Sequence, residues 1–379
     1  MSSETSQLPG LIKSHSDLRG LAEHLTSLPV IGVDTESNSL FAYQEQVCLI
    51  QFSTTQADYL VDPLAFDDLS PLAPVFSNPN VEKVFHAAEY DLICLRRDFD
   101  FNFSHLFDTM WAARILGREE IGLGSLLRVE FGVELDKRYQ RADWGKRPLP
   151  QGMQEYAVLD THYLIELRNR LLADLKAKNR LELAQEDFKR METLYDRPLH
   201  DNNHSGCWER ISGTRDLSPQ QMAILKELCE YREGVARQRN RPVFKVLGDR
   251  TLVSIATACP VSENELESLP HVSSRQVRQH GKALLKAVRD GLNSPPLESQ
   301  PSLRPDNGYL SRMDGLRSWR KHKAQKYGVE SDIILPRDLM LVIVNRNPHT
   351  QQELESILDD VPWRKEHFGQ ELLALLQKL

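Results

Sequence analysis

Asp34-Thr35-Glu36 follows the apolar run Val30-Ile31-Gly32-Val33. If that run is a strand, the two carboxylates sit two residues apart on one side of it, and both can reach a single ion. On its own, such a pair also fits a strand-end turn with solvated acids. Asp91 is less ordinary, because it stands inside the apolar helix start Tyr90-Asp91-Leu92-Ile93, where a carboxylate costs free energy unless it is paired or metal-bound. Asp160 raises the same question. It follows Tyr156 by four residues and shares a helical face with Leu159, Tyr163 and Leu164, so the polar groups turn inward with the apolar ones.

Four acids converging at a sheet edge would repel one another, so their joint presence implies hard divalent cations held by oxygen ligands. Two such cations about 4 Å apart suit phosphodiester hydrolysis, one acidifying the attacking water and the other stabilising the leaving oxygen. Tyr156, with an ordinary pKa near 10, is better suited to positioning a water by hydrogen bonding than to acting as the sole base. The plainer alternative for it is a half-buried core tyrosine with a satisfied hydroxyl. His86 reads as structural or close to substrate, because hard cations prefer oxygen to imidazole.

The elements that must bring these residues together follow from periodicity. Residues 1–195 alternate short β-branched runs with helical spacing, which marks an α/β domain. Strands are expected at 30–34, 47–52, 59–61 and 83–86. The stretch 46–61 is too short for a parallel crossover and reads as a hairpin, so the sheet should be mixed. A single long amphipathic helix is expected over 151–178. After a connector at 196–214 the pattern turns purely helical, beginning with Ser218 as cap and Pro219 in the first turn. A first helical module spans 215–292, a Pro/Ser-rich linker 293–308 and a second, divergent module 309–379. An ungapped offset of 88 sets Arg232 on Arg320, Pro260 on Pro348, Glu265-Leu266-Glu267-Ser268 on Glu353-Leu354-Glu355-Ser356 and Gly281 on Gly369. That register indicates a duplicated helical unit.

Of the 379 residues, 40% are hydrophobic and 27% charged, which places the chain among ordinary globular proteins. The formal charge of −7 is uneven: residues 1–100 hold 15 acids against 5 bases, and the remainder holds 39 against 42. An acidic lobe followed by a neutral-to-basic one suits metal binding beside a polyanion site, although solvated surface gives the same asymmetry. The five cysteines include no CxxC pair, so neither a zinc knuckle nor a disulfide framework is suggested. With no signal-like N-terminus and no apolar run of membrane length, a reducing cytoplasm is the expected location.

The order DxE, Asp, then Tyr-x-x-x-Asp resembles the tyrosine branch of the DEDD superfamily of 3′ to 5′ exonucleases. Phe85-His86-Ala87-Ala88-Glu89-Tyr90-Asp91-Leu92, Leu135-Asp136-Lys137, Asp143-Trp144 and Arg147-Pro148-Leu149 narrow the resemblance to ribonuclease D. The helical modules resemble its HRDC domains, the first more clearly through Arg239-Asn240-Arg241-Pro242. The second has Gly328-Val329-Glu330 where the first has Asn240-Arg241-Pro242. The resemblance implies a ribonuclease H-like mixed sheet flanked by helices, followed by two small all-α HRDC-type domains. It implies that Asp34, Glu36, Asp91 and Asp160 hold two Mg²⁺ or Mn²⁺ ions, with Tyr156 orienting water. It further implies a monomer that trims single-stranded 3′ ends of RNA such as tRNA precursors and releases nucleoside 5′-monophosphates. His86, Lys137, Arg141, Arg147, Arg232, Arg239 and Arg241 are the expected RNA contacts, phosphate being the partner of the basic ones. The same carboxylates would also serve a DNA exonuclease, and a scaffold with a lapsed nuclease domain would betray itself by a missing acid; all four are present. If the modules only hold the RNA body, truncation after Pro198 should spare cleavage of short strands.

Overall fold

The computed structural model describes residues 10–194, 206–297 and 306–379, so residues 196–205 of the predicted connector and 298–305 of the linker lie outside the described residues. Six strands, β1 (Leu11–Ile12), β2 (Val30–Ser37), β3 (Val47–Ser53), β4 (Asp58–Val61), β5 (Glu82–Phe85) and β6 (Leu106–Asp108), form one sheet in the order β1-β4-β3-β2-β5-β6. The expected hairpin is β3–β4, antiparallel with Ile50 opposite Val61, and β2–β3 is antiparallel too. The pairs β1–β4, β2–β5 and β5–β6 are parallel, so the sheet is mixed as expected. All seven side chains of β3 are buried, the pattern of a strand covered on both faces. β1 and β6 are too short to show a period, and sequence patterning does not find them.

The sheet is flanked by α1 (His15–Thr26), α2 (Ala73–Ser77), α3 (Glu89–Phe99), α4 (Thr109–Ile115), α5 (Leu123–Phe131), α6 (Gln151–His162), α7 (Leu164–Ala177) and α8 (Leu181–Leu194). The helix expected over 151–178 is therefore two helices, broken at Tyr163, which has φ −95° and ψ −1°. Competing side-chain bonds account for the break: the Thr161 hydroxyl engages Val158 O at 3.3 Å and the Ser53 hydroxyl at 2.6 Å, and His162 Nδ1 lies 2.8 Å from Asp58.

The first helical module comprises α9 (Pro219–Gln238), α10 (Val243–Val246), α11 (Asp249–Ala258), α12 (Glu263–Ser268) and α13 (Ser274–Asn293). Ser218 caps α9 by accepting from Gln221 N. The second module comprises α14 (Asn307–Tyr327), α15 (Ser331–Ile334), α16 (Arg337–Arg346), α17 (Gln351–Ile357) and α18 (Pro362–Leu376), each starting 88 residues after its counterpart. Side chains repeat as well: Arg232 donates to Leu247 O and Arg320 to Leu335 O, at 3.2 and 2.9 Å. Cys207 and Cys229 are joined by a disulfide, which the cysteine spacing gave no reason to expect.

The described chain forms two compact units; the α/β domain and the second module make up one, the first module with loop 38–46 the other. Within the former, fully buried Arg364 donates to Glu186, to Asp187 (2.9 Å) and to Ile333 O (2.7 Å). Arg190 meets Asp338, and Arg114 meets Asp332, both at 2.6 Å. Trp319 and Tyr327 pack on Phe368 in the core of the second module. Truncation after Pro198 would strip the second module from a hydrophobic core that it shares with the α/β domain and take Arg364 from Glu186 and Asp187, so the expectation that it spares the catalytic lobe does not survive. Among the described residues no helix is long and apolar enough to cross a membrane.

Candidate active site

Asp34 and Glu36 project from one side of β2, and α6 lays Asp160 against them, so that a carboxylate oxygen of each lies within 4.8 Å of the others. This approach depends on Gly32. A Cβ there would stand 3.1 Å from Thr161 O and 3.3 Å from Leu164 Cβ, at the junction of α6 and α7. The Ser53–Thr161 hydroxyl contact pins the same junction from β3. Asp91, only 7% exposed, joins differently: Thr35, which strand alternation turns away from Asp34 and Glu36, donates its hydroxyl to Asp91. Thr35 thus links the two sides of the site, and nothing in its residue type announces that role.

The four acids are held against their charged forms. Burial pushes Glu36 up to about 9, with help from the charges of Asp160 and Asp91. Burial raises Asp91 and Asp160 to about 7; a hydrogen bond from Thr35 restrains the first and one from Tyr156 the second. Asp34 is raised by burial and then by Asp91, Asp160 and Glu36. Tyr156 is pushed upward by burial and by the same carboxylates, which keeps its proton in place for donation to Asp160. Its ring packs near Trp144 and Tyr139, with centroids 6.0 and 6.1 Å away.

Desolvated acids gathered this closely fit a divalent cation, which supplies the charge they lack. A second observation agrees. Gln51, opposite Asp34 across β2–β3, is fully buried, yet neither its amide nitrogen nor its oxygen has a partner among the described residues. An orphaned amide of this kind is expected where bound water or an ion completes the shell.

The turn between β5 and α3 carries His86 to the same cavity, of about 410 Å³, which Asp34, Glu36, Tyr156 and Asp160 also line. Ala87 there adopts φ 61°, a left-handed conformation unfavourable for alanine. Asp108, fully buried at the end of β6, holds the turn by accepting from Ala88 N at 2.6 Å, and it also accepts from Trp111 N at 2.9 Å. Sequence reasoning missed Asp108; its signal is an Asp at an N-cap position, before Thr109. It also missed Gly122–Ser125 and Gln140 in the cavity lining, which carry no chemical signature.

The expected RNA contacts divide. Lys137 lines the cavity, and Arg141, Arg239 and Arg241 are exposed. Arg147 is not available to phosphate. Its five N–H donors go to Asp62 (2.6 and 2.8 Å), Cys48 O, Trp144 O and Lys146 O, clamping the 143–147 loop to the sheet. Arg232 is 4% exposed and pairs with Asp249 at 2.6 Å, so it is a structural arginine of the module. The equivalence with Arg320 at offset 88 is the signal that would have identified it.

The 3′-5′ exonuclease family matches residues 10–176, and the HRDC domain family matches residues 221–288 and 310–376. Ribonuclease D of Nitrobacter hamburgensis is 30% identical over 370 residues, covering 96% of this chain and 94% of that protein. Ribonuclease D of Escherichia coli is 29% identical over 378 residues, covering 97% of this chain and 98% of its own length. The crystal structure of the Escherichia coli enzyme, described as an exoribonuclease involved in structured RNA processing, matches with a TM-score of 0.71, 28% identity and coverage of 98% of this chain and 99% of that one.

Proposed function

Because this chain belongs to the ribonuclease D family and is thus a 3′ to 5′ exoribonuclease, we propose that it trims the single-stranded 3′ ends of structured RNA such as tRNA precursors. In this reading Asp34, Glu36, Asp91 and Asp160 hold two divalent cations, Mg²⁺ or Mn²⁺, directly or through water. The observation that carries it is the meeting of three carboxylates within 4.8 Å, with Asp91 tied to them through Thr35. When bound, the cations supply Lewis acidity that favours attack by water and offsets charge on the leaving oxygen.

The chain's own residues do the rest. The Tyr156 hydroxyl, kept protonated and anchored on Asp160, orients the attacking water without removing its proton. Trp144 and Tyr139 fix the ring that presents this hydroxyl. Lys137, at the cavity wall, meets the phosphate next in line, and Arg141 draws the strand in. Exposed Arg239 and Arg241 on the first module meet phosphates of the folded RNA body. The protein acts as a monomer in the cytoplasm, where tRNA precursors are found.

The test is a folded stem-loop RNA with a 5′ label and a 3′ tail, incubated with Mg²⁺, Mn²⁺ or chelator. A ladder retreating one nucleotide at a time from the tail, only with metal, is expected. Internal cuts, activity in chelator, or exclusive use of a matched DNA tail would contradict the reading.

A further inference from the structure

His86 has one nitrogen committed and one free. Its Nδ1 lies 2.9 Å from Thr109 Oγ1, while the Thr109 hydroxyl lies 3.0 Å from Phe85 O, to which it donates. A hydroxyl has one proton, and here it is spent on a carbonyl; the imidazole must therefore supply the proton of the His86–Thr109 bond. That fixes the tautomer: Nδ1 carries hydrogen and Nε2 carries a lone pair. Thr109 is fully buried, so the Nδ1 edge faces inward. Nε2 takes no partner among the described residues and is not among their buried unpartnered atoms, which leaves it open to the cavity that His86 lines with the carboxylates. Burial pushes His86 down to about 4, so the lone pair persists at any working pH.

A fixed acceptor selects a donor. Phosphate oxygens only accept, so His86 is no phosphate contact. Base amino groups are donors but differ among the four bases, and an enzyme that removes successive nucleotides meets them all. The ribose hydroxyl is the donor common to every RNA nucleotide, and the 2′-hydroxyl is the one that DNA lacks.

We propose that His86 Nε2 accepts a hydrogen bond from the 2′-hydroxyl of the 3′-terminal nucleotide and is a determinant of preference for RNA over DNA ends. This rests on the exoribonuclease reading of the same site and supplies a contact that the carboxylates, which suit either polymer, do not.

The experiment compares kcat/KM for one RNA oligonucleotide ending in a ribonucleotide, a 2′-deoxynucleotide or a 3′-deoxynucleotide, with Mg²⁺ present. His86→Asn keeps an N–H donor for Thr109 but places nothing at the Nε2 position; His86→Gln can present an amide oxygen there. His86→Asn is expected to lose about fivefold to tenfold on the ribose end, mostly in KM, and less than twofold on the 2′-deoxy end. His86→Gln should retain most of the preference. Equal losses on ribose and 2′-deoxy ends, or no loss on either, would overturn the proposal while leaving the exoribonuclease reading intact. A loss that disappears only with the 3′-deoxy end would overturn it in favour of the 3′-hydroxyl. If the wild-type protein degrades none of the three substrates, both readings fall.

Discussion

Removing the Asp160 carboxylate should abolish hydrolysis yet stabilise the metal-free protein at alkaline pH. Burial lifts this carboxyl from its ordinary 3.8 to about 7. A folded-state pKa above the unfolded one means that the native protein holds the proton more tightly. The associated stability is present below about pH 4 and is lost as pH rises through about 7, at a ceiling of roughly 4 kcal/mol. At pH 8.5 in chelator the wild-type protein therefore carries an ionised, partly desolvated Asp160 beside other acids, and Asp160→Asn does not. The asparagine oxygen can still accept from Tyr156. About half the ceiling, roughly 2 kcal/mol, is expected after allowing for the amide's own desolvation. In calorimetry of the chelated protein this is a rise of about 4–8 °C for a transition of this domain's size. The gain should vanish at pH 5, where Asp160 is protonated in any case, and Mg²⁺ should raise the Tm of wild type more than that of Asp160→Asn. A variant no more stable than wild type at pH 8.5, or one with the same gain at both pH values, would refute the electrostatic account of the cluster.

Tyr156→Phe should lower kcat by about a hundredfold or more with little change in KM, as a water-positioning hydroxyl requires; a normal rate with lowered stability would make it a core residue only. Arg147→Ala should cost about 3–5 kcal/mol by stranding buried Asp62. Arg141→Ala should leave unfolding unchanged and instead reduce the salt dependence of RNA binding, by about 0.7–0.9 in log-log slope if it neutralises one phosphate. Ala87→Gly should stabilise the protein by about 1 kcal/mol, since glycine takes the left-handed conformation at little cost, and activity should be unchanged.

Asp91 and Asp160 stand out in the sequence because each breaks an apolar pattern, the first in a helix start and the second on an inward stripe, whereas Asp34 and Glu36 alone read as an ordinary strand-end pair. The 88-residue repeat was legible because register survives where identity does not. Other parts were hidden for physical reasons. The break at Tyr163 depends on hydroxyl bonds from Thr161 to a strand more than a hundred residues earlier. Thr35 acts through its bond to Asp91, and Asp108 holds the β5–α3 turn through Ala88 N, and both of these partners are set by tertiary structure. Arg147 and Arg232 belong to basic stretches that charge alone assigns to phosphate, and only the location of Asp62 and Asp249 reveals them as internal clamps. The docking of α18 through Arg364 is likewise invisible to patterning, since a buried arginine looks like any other until its acids are found.

The most direct measurement follows the products themselves. The wild-type protein and Asp34→Asn are each incubated with unlabelled RNA in ¹⁸O-enriched water with Mg²⁺, and the released nucleotides are weighed by mass spectrometry. Wild type is expected to release nucleoside 5′-monophosphates bearing one heavy oxygen, with release halted by chelator and by Asp34→Asn. Release of 3′-phosphates, absence of the heavy oxygen, or undiminished release by Asp34→Asn would contradict metal-assisted hydrolysis at this carboxylate cluster.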